Sequence, residues 1–78
     1  MKQFIEIPNA KKQKILKDQA YLPVNLIVPV NSIIGMMSYP DDSFYQILLF
    51  DREAENGVAA FYISEETYNN IAKTLLED

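Results

Sequence analysis

The sequence has no cysteine and no histidine, and only two glycines in 78 residues. Without cysteine there is no disulfide framework and no thiolate metal site. Without histidine the commonest general base and metal ligand is missing. Gly35 and Gly57 stand alone, so there is no phosphate-cradling loop and no dinucleotide fingerprint. The serines at 32, 38, 43 and 64 therefore have no histidine partner to activate them, and none sits in a nucleophile elbow. Long apolar runs are missing too. The longest, Val58 to Ile63, is six residues, against the roughly 18–20 that a membrane span requires. Behind Lys2, Glu6 and Pro8 interrupt the apolar run of a signal peptide. The expectation is a cytoplasmic chain with no membrane segment, no cofactor, no metal site and no catalytic activity.

What is present reads as globular. Apolar residues make up 49% and charged residues 23% of the chain, which excludes a disordered tail and fits one domain over residues 1–78. The net charge of −4 conceals an asymmetry. Residues 1–40 carry five lysines against Glu6 and Asp18, giving +3; residues 41–78 carry Arg52 and Lys73 against nine acids, giving −7. An acidic chain is a poor candidate for indiscriminate nucleic-acid binding, where lysine and arginine supply most of the affinity.

Along the chain, short strands precede one helix. Lys2 to Ile7 alternates and closes on Pro8-Asn9, a strand followed by a turn. Residues 10–24 fit a short helix, a short strand or an exposed loop. Asn25 to Val30 is rich in β-branched residues, and Pro29 makes it an edge strand or its end. Ile33 to Tyr39 is a further strand, Pro40-Asp41-Asp42-Ser43 a turn, and Phe44 to Asp51 the clearest strand. Asn56-Gly57 signals a second turn before the strand Val58 to Ile63. Ser64 supplies an N-cap oxygen, and Glu65 and Glu66 suit the positive end of the helix dipole. Tyr68, Ile71, Ala72, Leu75 and Leu76 then mark one helical face. The fold class expected is α+β: a small antiparallel meander of four to five strands, curled toward a barrel, with one C-terminal helix.

Period-two alternation assigns the strand residues to faces. With Pro40–Ser43 as the first turn, Tyr39 lies opposite Phe44 and Met37 opposite Gln46. With Arg52–Gly57 as the second loop, Asp51 lies opposite Val58 and Leu48 opposite Phe61. One face then carries Ile33, Met37, Phe44, Leu48, Phe50, Phe61 and Ile63; the other carries Ile34, Met36, Tyr45, Ile47, Leu49, Val58, Ala60 and Tyr62. Both are apolar, and a helix of about 13 residues, roughly 20 Å long, covers only one. The phenylalanine face is expected under the helix. The tyrosine face would close into a small barrel, lie under residues 1–30 or meet another chain, since tyrosine suits a half-wet surface. Met36, Tyr45, Ile47 and Tyr62 are its expected interface residues.

The charged residues give two further candidate surfaces. Asp41 and Asp42 should share one end of the sheet with Glu65 and Glu66. Asp51, Glu53 and Glu55 should lie at the other, with Glu77, Asp78 and the terminal carboxylate. The stretch Asp51 to Gly57 has acids at the first, third and fifth positions of a calcium loop. It has Asn56 where that loop requires glycine and Tyr62 where it requires glutamate. It reads as a solvated hairpin loop. Lys11, Lys12, Lys14 and Lys17 form the one basic cluster, a candidate contact for an anion.

The run Leu26-Ile27-Val28-Pro29-Val30-Asn31-Ser32-Ile33, then Phe44 to Phe50, Val58 to Ile63 and the helix opening on Ser64-Glu65-Glu66, resembles the small β-rich FlbD-type bacterial proteins. The resemblance spans Val24 to Leu76. Residues 9–24 depart from it as an insertion, and Pro40–Ser43 replaces its glycine-rich turn. It implies a non-catalytic accessory module and brings no site residues. The functional expectation is a non-enzymatic interaction or regulatory module that binds a protein partner or itself, as a homo-oligomer. The alternative is a phage-encoded inhibitor of a host defence system, presenting acidic surface to a nucleic-acid-binding or nucleotide-signalling protein.

Overall fold

The computed structural model describes residues 3–12 and 23–76, with Pro40 described by its backbone alone. Five strands, β1 (Phe4–Lys12), β2 (Val24–Pro29), β3 (Ile33–Tyr39), β4 (Phe44–Phe50) and β5 (Val58–Tyr62), precede one helix, α1 (Glu65–Leu76). The strands form one antiparallel sheet in the order β2-β1-β5-β4-β3. The fold is the small α+β meander expected, and its sheet is not closed into a barrel.

The topology nonetheless forces the sheet to coil. β2 and β3 are its two edges, yet only the 3-10 turn Val30–Ser32 joins them. Four residue steps span at most about 14 Å, whereas the edges of a flat five-stranded sheet lie roughly 19 Å apart. The two edges must therefore converge at that turn and leave a seam between them. Ser32 Oγ–H donates to the Pro29 carbonyl at 2.7 Å, and Val30 N–H donates to the Gln3 carbonyl at 2.9 Å. The first bond closes the turn on itself, and the second pins it beside the start of β1.

β1 runs further than the alternation suggests. Pro8-Asn9 is an irregularity within it rather than its end, because the register with β2 shifts between Ile7 and Ala10. Proline, lacking an N–H, is tolerated at such a bulge, and Asn9 takes the left-handed conformation (φ 54°) that asparagine accepts. Its N–H is satisfied by Asn25 Oδ1 at 3.0 Å. Beyond the bulge β1 changes partner: Lys11 pairs with Tyr62 and Lys12 with Phe61. One strand thus bridges both halves of the sheet, with Ala10 buried at the changeover.

The core lies on the helix side. Ile5, Ile7, Ala10, Ile47, Leu49, Ile63 and Ile71 form its buried cluster, and Met36, Tyr45, Phe61 and Tyr68 pack against it. Ile7 and Ile47 are 0% exposed. The helix begins as expected: Thr67 N–H donates to Ser64 Oγ at 3.1 Å, and the serine hydroxyl lies 3.0 Å from Thr67 Oγ1. Of the expected apolar stripe, Ile71 is buried, Tyr68, Ala72 and Leu75 are half-buried, and Leu76 is exposed.

The β3–β4 pairing is as expected, with Tyr39 opposite Phe44 and Met37 opposite Gln46. The β4–β5 pairing is not. Phe50, not Asp51, lies opposite Val58, and Leu48 lies opposite Ala60 rather than Phe61. The reason is the loop. Asp51 N–H donates to the Gly57 carbonyl at 2.9 Å, so both residues belong to the loop. Within it the Asp51 and Asn56 side chains accept from the N–H groups of Glu53 (3.0 Å) and Val58 (3.1 Å). These Asx contacts place one more residue on the β4 side of the loop than the Asn56-Gly57 signal suggested. A one-residue slip exchanges the faces of the two strands relative to each other. A second irregularity, between Ile33 and Gly35 of β3, turns Ile33 toward the core beside Met36 and leaves Ile34 exposed; Ile33 lies on the helix side as expected, but without Met37 and Phe44 of its expected face.

Candidate interaction surface

The slip decides which apolar face the helix covers. Phe61 and Ile63 lie on the helix side as expected, but their neighbours on β4 are Tyr45, Ile47 and Leu49. Tyr45 packs on Tyr68 of the helix, with ring centroids 5.3 Å apart. Of the four residues expected to form an interface, Ile47 is sealed in the core, and Met36 and Tyr45 pack against it. Only Tyr62 belongs to the other face. The tyrosine face is the covered one, and the expectation is corrected accordingly.

The opposite face is built by Met37 and Tyr39 of β3, Phe44, Gln46, Leu48 and Phe50 of β4, and Val58, Ala60 and Tyr62 of β5. Three of its four aromatic residues form a continuous run. Tyr39 meets Phe44 edge-on at 5.3 Å, and Phe44 meets Tyr62 edge-on at 4.9 Å. The one helix among the described residues packs on the other side. Phe50 is 61% exposed and Tyr39 47%, large values for aromatic residues of a sheet. Gln46, buried between Phe44 and Leu48, is the polar centre of this face, and no buried side-chain polar atom among the described residues lacks a partner. Sequence reasoning placed Phe44, Leu48 and Phe50 under the helix. By alternation Gln46 shares their face, and its burial there shows that a polar residue type alone did not tell the two faces apart.

The charged candidates are spread out. Ile63 N–H donates to the Tyr45 carbonyl at 3.1 Å, so β5 ends and the helix begins at the same end of the sheet as the Pro40–Asp42 turn. Asp41, Asp42, Glu65 and Glu66, all exposed, share that end, and Glu53 and Glu55 occupy the loop at the other. Glu77 and Asp78 lie outside the described residues. Among the described residues no three carboxylates converge closely enough to hold a metal ion. Lys11 and Lys12 are exposed strand residues, and Lys11, opposite Tyr62, borders the face opposite the helix. Lys14 and Lys17 lie outside the described residues. No described helix is long and apolar enough to cross a membrane.

No protein-family model matches the chain, and no curated protein or solved structure is significantly similar to it.

Proposed function

We propose that the chain is a non-enzymatic cytoplasmic module that acts by protein binding, and that its partner is a second copy meeting it through the sheet face opposite the helix. One observation carries this reading: Tyr39, Phe44, Leu48, Phe50 and Tyr62 form an apolar face on which Phe50 and Tyr39 are exposed and the others half-buried. Aromatic side chains with a polar tip suit such a contact, because they bring large area at little conformational cost. The resemblance to FlbD-type proteins agrees with an accessory role and rests on the sequence pattern alone. Light scattering after size exclusion tests the reading. The wild type should give a mass above 9.0 kDa, and Phe50→Lys should return it to that value with its circular dichroism unchanged. A wild type of monomeric mass at every concentration would refute it.

A second reading has its own support, the two exposed acidic ends. In it the chain is a phage-encoded inhibitor whose carboxylates occupy the basic groove of a nucleic-acid-binding or nucleotide-signalling protein. Charge reversal at Asp41 and Asp42, or at Glu53 and Glu55, should weaken that complex, and added salt should weaken it steeply. Indifference to salt would exclude this mode.

A further inference from the structure

The dipeptide Asn56-Gly57 closes the loop between β4 and β5, and the same pair is chemically labile. Asparagine is among the thermolabile residues, and its side-chain carbonyl carbon is open to attack by the backbone nitrogen of the residue that follows. Glycine, with no Cβ, hinders that attack least. Of the six asparagines in the chain, Asn56 is the one followed by glycine. Asn69 and Asn70 lie within the helix, where the backbone is fixed. In the closed loop the reacting groups at position 56 are engaged. Gly57 N–H donates to the Ala54 carbonyl at 3.0 Å, so the attacking nitrogen keeps its proton. Asn56 Oδ1 accepts from Val58 N–H at 3.1 Å, which fixes the rotation of the side chain. Asp51 N–H donates to the Gly57 carbonyl at 2.9 Å and holds the loop shut with Gly57 at φ 78°. A hydrogen-bonded amide gives up its proton to hydroxide only when its bond opens, which is also the requirement for hydrogen exchange.

We propose that Asn56 is a site of spontaneous deamidation, gated by opening of the loop over residues 51–57. In the open loop hydroxide removes the Gly57 amide proton, and the Gly57 nitrogen attacks Asn56 Cγ. The N–Cγ bond forms, the Cγ–Nδ2 bond breaks, and Nδ2 takes a proton from water and leaves as ammonia. Water then adds to either carbonyl of the cyclic imide and opens it to aspartate or isoaspartate, with no oxidation or reduction. Both products add a negative charge to a loop that already exposes Glu53 and Glu55. Their effects on the fold differ. Aspartate keeps the backbone length and an oxygen for Val58 N–H. Isoaspartate routes the backbone through the side chain, and the extra atom displaces the Gly57 groups that bond Asp51 and Ala54. The chemistry is independent of how the chain associates, because every group in it belongs to one loop.

Peptide mapping of the full chain, kept at mildly alkaline pH both native and unfolded in urea, tests the site. In urea, position 56 should convert before any other asparagine. In the native chain its conversion should be slowed by the same factor, within about threefold, as exchange of the Gly57 amide hydrogen read by NMR. Asp51→Ala removes the acceptor of Glu53 N–H without touching the reacting atoms, and should speed conversion and Gly57 exchange together. Should that variant unfold, the wild type in graded sub-denaturing urea carries the same comparison. Asn56→Asp should keep the Val58 amide protected, whereas the isoaspartate fraction should lose protection at Asp51 and Gly57. Conversion in urea led by another asparagine would overturn the assignment of the site. Native conversion as fast as in urea, or conversion that does not follow Gly57 exchange, would overturn the gate.

Discussion

Three positions separate Ile47 from Phe50 on one strand, yet Ile47 is sealed and Phe50 is mostly exposed. The alternation of β4 places them on opposite faces, and the helix chooses between the faces. Ile47→Ala should cost about 2–5 kcal/mol, the range for deleting methyl groups from a packed core. Phe50→Ala should change stability by no more than about 0.5 kcal/mol in the monomer. Urea denaturation reads both, and the reverse order would restore the phenylalanine face to the helix. The two glycines separate in the same way. Gly57 holds φ at 78° to close the loop, so Gly57→Ala should cost about 1–2 kcal/mol. Gly35 has no such conformation and open space at its Cβ position, so Gly35→Ala should gain about 0.5–1 kcal/mol.

Among the elements, the helix owes its start to one hydroxyl. Ser64→Ala removes the acceptor of the Thr67 N–H and should cost about 1 kcal/mol, with most of the loss restored by Ser64→Asp. Thermal unfolding distinguishes the two variants. This cap was legible in the sequence, as were the bounds of β3, the Pro40 turn and most of β4 and β5, because each announces itself within a few residues. What was not legible depended on contacts between segments. The fate of Pro8-Asn9 turns on Asn25, sixteen residues away, which supplies the acceptor that lets β1 continue through a bulge. The β4–β5 register turns on Asx contacts within a loop whose strongest local signal, Asn56-Gly57, suggests a different closure. One residue of register was enough to move Ile47 from the expected interface into the core. The same slip took Phe44, Leu48 and Phe50 from the helix side, where they were expected, to the opposite face.

At the scale of the molecule, charge and apolar surface act on association in opposite directions. The net charge of −4 repels copies from one another, while the β3, β4 and β5 residues of the face built around Phe44 carry no charge. Added salt screens the repulsion and leaves the apolar contact intact. Self-association should therefore strengthen with salt, the opposite of a complex held by the acidic ends. The most direct test of the account is sedimentation velocity of the wild type and Phe50→Lys over a micromolar concentration series. The account predicts a wild-type sedimentation coefficient that rises with concentration, beside a variant that remains a single 9.0 kDa species. A wild type that sediments as that same single species throughout would contradict it.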